Sequence, residues 1–247
     1  MRGWMEKATL VAGLTALALA HAPARAADKI TFVSANIPPF SIKEGPRPGF
    51  VREIVHEMAR RAGVPFAVDY TNSWPGSQKI ARGRANTVIF PLARTKRREP
   101  HYLWIQKLWD VPIIFATAPG KPKITSIAKA KALKAIGVRR GSPMVKDLQA
   151  RGFTNLAIVK TPGESARNLA AGRIEALYAP WPEMAYNWKL SGANGNAARG
   201  LTTRIIHVNV AAAKASPAID LAKWRAAFAA MEREGMVKAI VEKYLGR

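Results

Sequence analysis

The chain has 247 residues, 49% of them hydrophobic, and no cysteine. That length and apolar share support a real core, in one large domain or two small lobes, and exclude a disordered chain; without disulfides the core alone must hold the fold. The formal net charge of +23, from 39 Lys+Arg against 16 Asp+Glu, favours anionic partners, but the basic residues are dispersed rather than gathered in one tail, which argues against a nucleic-acid partner.

The N-terminus reads as a secretory signal peptide. Arg2 and Lys7 precede an apolar run from Ala8 to Ala20, and Ala24-Arg25-Ala26 closes it as an A-x-A cleavage pattern. The run is roughly 13 residues, whereas a bilayer span needs about 20. Cleavage is expected after Ala26. No lipobox cysteine is present to tether the product, so a soluble periplasmic protein is expected.

Strand and helix signals then alternate. "KITFVSA" (29–35) is a strand that Pro38 and Pro39 stop. In "GFVREIVHEMARRAG" (49–63), Phe50, Val51, Ile54, Val55, Met58 and Ala62 share one helical face and Gly63 ends the helix. "FAVDYT" (66–71) is a strand, Pro75 opens a short helix to about Arg82, and "NTVIFPL" (86–92) is a strand. This βαβαβ order implies a parallel sheet flanked by helices. "DVPIIFATAPG" (110–120) reads as a crossing strand. A second alternating unit follows: strands 134–138, 156–160 and 174–179, and helices 142–152, 162–172 and 182–190. "SGANGNAARG" (191–200) reads as a loop and "TTRIIHVNVAAA" (202–213) as another long strand. Ser216-Pro217 caps a helix, and Met236, Val237, Ile240, Val241 and Tyr244 form the apolar face of the last one.

The reading is therefore a two-lobe α/β protein. Each lobe is a mostly parallel sheet with flanking helices: 27–112 plus 210–247 for lobe 1, and 117–204 for lobe 2. Hinge strands at about 110–118 and 202–213 join them. Ligands of such sheets bind outside the carboxyl ends of the strands, which places a site in the cleft between the lobes.

Four stretches in this order resemble the bacterial extracellular solute-binding proteins of family 3, the polar amino-acid type with a type II periplasmic binding fold. They are "IPPFSIKEGPRPGFVREIVHEMARRAG", "ARTKRREPHYLWI", "AIGVRRGSP…ESARNLAAGRIEALYA" and "MEREGMVKAIVEKYLG". The resemblance implies a monomer that closes on a small molecule and delivers it to an inner-membrane ABC permease. Within its T-x-x-R motif, Thr95-Lys96-Arg97-Arg98, it sets Arg98 as the arginine that binds a ligand carboxylate. The choice suits the chemistry, because a guanidinium fork matches a carboxylate in two parallel hydrogen bonds. Lys96 and Arg97 are expected to face solvent, and Arg94 to reach the cleft or lie along its rim. Phe40 and Trp74 could supply flat apolar walls, Trp181 either the cleft or a lobe core. Ser142 is expected to cap its helix, whose N-terminus can also face an anion.

The sequence also departs from the family. Phe90, Pro91 and Ala93 stand where amino-acid binders place small hydroxyl residues, and Pro180 stands where they place the aspartate for the ligand ammonium. A buried ammonium without an anionic partner is costly. The ligand is therefore expected to carry a carboxylate and either no free α-ammonium or one held elsewhere. His21, His56, His101 and His207 show no metal spacing, and no cofactor motif is present. There is no G-x-S-x-G, H-E-x-x-H or P-loop motif, so the protein is read as no enzyme. A dehydratase-like enzyme on this fold would need a cleft acid, for which Glu183 is the candidate. A sensory or accessory binding module without a permease is the other alternative.

Overall fold

The computed structural model describes residues 29–245; the expected signal peptide lies outside them. The first five elements are β1 (Thr31–Ala35), α1 (Phe50–Arg61), β2 (Val68–Thr71), α2 (Trp74–Gly83) and β3 (Thr87–Ala93). β1 pairs in parallel with both β2 and β3, as the βαβαβ pattern implies. α1 buries Phe50, Val51, Ile54, Val55, Met58 and Ala59. It ends in a paired C-terminal cap: Gly63 adopts φ +72°, its N–H donates to the Arg60 carbonyl, and the Val64 N–H donates to Ala59.

Two sixteen-residue strands cross the molecule. β4 (Tyr102–Thr117) runs antiparallel to β8 (Ala198–Ala213) along nearly their whole lengths. Both are longer than expected from sequence. β4 takes in "YLWIQKLW" ahead of Asp110, and β8 takes in Ala198–Gly200 from the stretch read as a loop. Pairing supplies the reason: Ala198 faces Thr117 and Arg199 faces Ala116, so cross-strand hydrogen bonds override the Gly/Asn-rich composition. Gly200 fits there because it has no side chain; a Cβ on it would stand 2.6 Å from the Ile124 carbonyl oxygen and 2.7 Å from that of Phe115.

Between the long strands lie α3 (Ile127–Lys131), β5 (Ile136–Arg139), α4 (Pro143–Ala150), β6 (Leu156–Val159), α5 (Pro162–Ala170), β7 (Ala176–Pro180) and α6 (Trp181–Leu190). The short α3, capped by the Ser126 side chain, was not expected. α7 (Leu221–Arg233) and α8 (Met236–Leu245) close the fold. The strand order is β2-β1-β3-β8-β4-β7-β5-β6. We call the half carrying β2, β1 and β3 lobe 1, and the half carrying β7, β5 and β6 lobe 2. Each half has its own apolar core. One gathers Phe32, Phe50, Phe90, Trp224 and Tyr244, with residues of α1, α7 and α8. The other gathers Ile113, Phe115, Val138, Leu148 and Tyr178.

Candidate ligand cleft

A cleft of about 730 Å³ opens between the halves. Its walls come from the carboxyl ends of the strands. Asn36, Ile37 and Phe40 follow β1, Asn72 to Trp74 follow β2, and Ala93 and Arg98 end or follow β3; from lobe 2 come Arg139 at the end of β5, Pro162 after β6, and Pro180 and Glu183 at and beyond β7. This is where such sheets place ligands.

Buried hydroxyls fix the loop after β1. Ser34 Oγ donates to the Phe90 carbonyl at 2.8 Å and lies 2.9 Å from Ser41 Oγ. Ser41 Oγ lies 3.0 Å from the Tyr70 hydroxyl, which donates to the Ile42 carbonyl at 2.9 Å. Phe40, held in that loop, does two things at once. It is buried against Phe50, with ring centroids 5.0 Å apart, and it also lines the cleft. Trp74 stands at the first position of α2, where Ser73 accepts a hydrogen bond from the Gly76 N–H. It is half-buried, lines the cleft and rests on the apolar cluster of Ile89, Leu92 and Tyr102.

Arg98 is half-buried, while Lys96 and Arg97 beside it are exposed. Its Nη1 donates to the Ala93 carbonyl at 2.9 Å, which braces the side chain on the end of β3. Its Nε is buried and has no partner. Burial lowers the Arg98 pKa from the usual guanidinium value, with Arg97 and Arg82 adding to the effect. A guanidinium remains charged through such a shift. What it presents to the cleft is a positive charge.

The structure does not bring the other three expected residues to the cleft wall. Arg94 is exposed, pairs with Glu99 and lies over Trp104 at 5.2 Å, so it belongs to the outer surface. Trp181 rests on the lobe 2 cluster of Leu177, Ala179 and Met184, with Arg199 5.9 Å from its ring. Ser142 occupies the N-cap position of α4 but makes no side-chain cap; its Oγ turns back to the Arg139 carbonyl at 2.7 Å.

Sequence reasoning missed Arg139 as a cleft residue and gave Glu183 only an enzymatic reading. Glu183 is 8% exposed, in the first turn of α6, and burial pushes its carboxyl pKa up, against the pull of Arg139. Its Oε1 lies 3.8 Å from Arg139 Nε, within ion-pair range but beyond a hydrogen bond. The available signal was position: Arg139 ends a strand whose carboxyl end meets the cleft.

Among the described residues, no group of three or more His, Cys, Asp and Glu could hold a metal. No helix among them is long and apolar enough to cross a membrane.

Comparison with known proteins agrees with this architecture. The ligand-binding core of GluR0 from Nostoc punctiforme, solved with L-glutamate, superposes with a TM-score of 0.68 at 15% identity, over 88% of this chain and 100% of that one. An ancestral cationic amino-acid solute-binding protein gives 0.72 at 16% identity, over 88% and 95%. A histidine kinase sensor domain similar to periplasmic binding proteins gives 0.66 at 19% identity, over 88% and 96%. No curated protein matches by sequence. The family described as bacterial extracellular solute-binding proteins, family 3, matches residues 30–247. With that match spanning nearly the whole chain and both lobes in place, the protein belongs to the bacterial extracellular solute-binding proteins of family 3.

Proposed function

We propose that the protein captures a small carboxylate-bearing solute, amino-acid-like or an organic acid, in the cleft between its lobes, in the periplasm, as a monomer delivering to an ABC-type permease. The observation that carries this reading is Arg98, a braced and half-buried guanidinium on the cleft wall that makes no ion pair with an acidic side chain among the described residues. A partly buried charge without a counter-charge is costly, and a carboxylate is the acceptor whose geometry fits a guanidinium fork. Phe40 and Trp74 supply apolar walls beside it. A ligand touching both lobes favours the closed arrangement, which a permease can then distinguish from the open one.

A thermal-shift screen of organic acids, amino acids, polyamines and sugars tests this. Ligand at about 100 times Kd adds roughly 2.7 kcal/mol, which for a chain of this size raises Tm by about 5–10 °C. A shift with carboxylates is expected; none with any of them would overturn the reading. The fold shared with the histidine kinase sensor domain supports a second reading, a sensory module, in which binding is the same but reconstituted permease shows no solute-dependent ATP hydrolysis. The buried Glu183 keeps a dehydratase-like enzyme in view, and chemical turnover of the bound compound would establish it.

A further inference from the structure

We propose that the end of lobe 2 away from the cleft is a docking surface for the anionic headgroups of a phospholipid membrane, formed by Lys121, Lys123, Lys129, Lys131 and Lys134. Its role does not depend on what the cleft binds.

The stretch "KPKITSIAKAKALK" (121–134) carries five lysines and no acid. All five are exposed, and none forms an ion pair among the described residues. Cations elsewhere find acids: Arg60 pairs with Glu57, Arg94 with Glu99, Lys107 with Asp110 and Lys243 with Glu53. The topology sets the stretch at one end of the lobe. The chain leaves the sheet after Thr117 of β4, where Ala116 faces Leu177 near the start of β7, and rejoins it at Ile136, the start of β5. The other ends of β5 and β7, at Arg139 and Pro180, line the cleft.

Lobe 2 does little to neutralise this end. Asp147 is engaged by Tyr178 and Arg151, Glu164 accepts from the Lys160 N–H, and Glu183 lies in the cleft. That leaves Glu175, which accepts from the Lys134 backbone N–H. The stretch is also well fixed. Ser126 caps α3 by accepting from the Lys129 N–H at 3.2 Å, and Asn155 Nδ2 donates to the carbonyls of Leu133 at 2.7 Å and Ala130 at 3.1 Å. The residue types select the partner. Ammonium groups are point charges that suit a plane of phosphates and need no fork geometry. Ile127 and Leu133 pack on the lobe 2 core and Phe153 is buried, so the stretch offers no ring for base stacking and no apolar side chain for insertion. Clusters of about four to eight lysines and arginines bind anionic lipid surfaces in this electrostatic, reversible way. Docking there leaves the cleft open to solution and holds a protein that serves a permease at the membrane surface.

Vesicle sedimentation tests this. The exported protein, its mass checked for loss of the signal peptide, is mixed with phosphatidylglycerol or phosphatidylcholine vesicles. Two variants are compared with it, each checked for fold by circular dichroism and Tm. One carries Lys→Gln at all five positions of the stretch. The other carries Lys→Gln at Lys79, Lys96, Lys214, Lys223 and Lys238, which removes the same charge from exposed sites on lobe 1. The unaltered protein is expected to bind phosphatidylglycerol and not phosphatidylcholine at about 0.1 M salt, and to come off at about 1 M, where the Debye length falls from about 10 to about 3 Å. A lysine at such a surface is worth about fivefold. Changing the five should therefore weaken binding at least about hundredfold, and the lobe 1 variant less than about threefold. Should the first variant not fold, Lys129→Gln alone decides, with an expected loss of about fivefold. No binding to phosphatidylglycerol, equal binding to phosphatidylcholine, or equal losses in the two variants would overturn the proposal, the last by making the charge a diffuse field. If poly-glutamate at matched charge strips the protein from the vesicles, and does so through the same five lysines, the surface fits an acidic protein and the lipid assignment falls.

Discussion

Gly49 and Phe40 meet backbone to backbone: a Cβ placed on Gly49 would stand 2.7 Å from both the carbonyl carbon and the carbonyl oxygen of Phe40. Gly49 also has φ +96° and ψ 139°, a conformation open essentially only to glycine. The chain can therefore enter α1 while accepting hydrogen bonds from the Val51 and Arg52 N–H groups at the Phe40 carbonyl. Gly49→Ala is expected to cost about 2–3 kcal/mol from strain alone, a fall in Tm of about 5–10 °C. Ligand affinity should fall with it, because the displaced loop carries Phe40 to the cleft. A variant with unchanged Tm would show that the loop absorbs the contact.

Tyr244 of α8 ties the same corner to the last helix. Its hydroxyl accepts from the Gly49 N–H at 2.9 Å and donates to the Glu53 carboxylate. The residue is 2% exposed, and its phenol pKa is raised, by burial first and by Glu53 second. Tyr244→Phe leaves the Gly49 N–H without its partner. A loss of about 1–3 kcal/mol is expected, read as a lower urea midpoint with an unchanged slope. An unchanged midpoint would mean that water replaces the hydroxyl.

The basic run 94–98 divides by side chain. If Arg98 holds a ligand carboxylate, Arg98→Ala should weaken binding by about 2–5 kcal/mol, roughly 30- to 5,000-fold at about 1.4 kcal/mol per decade. Arg98→Lys should recover only part, because a point charge does not reproduce the fork. Arg97→Ala and Arg94→Ala should change affinity well under tenfold, since Arg97 is exposed and Arg94 is engaged with Glu99 and Trp104. Titration with a carboxylate from the screen checks all four proteins. Equal losses along the run would mean that it acts as a diffuse field.

Acid should weaken one defined surface network. Glu57 bonds Arg60 and Arg61 at 2.7 Å, and the Arg60 bond first, with help from Arg61, brings its pKa to about 2 from an ordinary 4.5. A folded-state value below the unfolded one gives stability that is present above pH 4.5 and is lost as pH falls toward 2. Denaturation of the unaltered protein and of Glu57→Gln across that range should show a stability gap that closes on acidification. A gap that stays constant down to pH 2 would assign it to something other than ionisation.

The sequence by itself determined the alternation of elements, the apolar faces of α1 and α8, and the presence of two long strands, because each depends on local periodicity and turn chemistry. It also placed Phe40, Trp74 and Arg98 together through the family resemblance, and the structure brings all three to one cleft. The tertiary structure alone decided how far β4 and β8 extend, since their extra residues are strands only through each other's hydrogen bonds. It decided that Arg94 turns outward to Glu99 and that Ser142 bonds Arg139 instead of capping α4. It also set Arg139 and Glu183 across from Arg98, residues 41 and 85 positions further along the chain. Their meeting depends on which strand ends face each other across the cleft, and one-dimensional periodicity does not encode that.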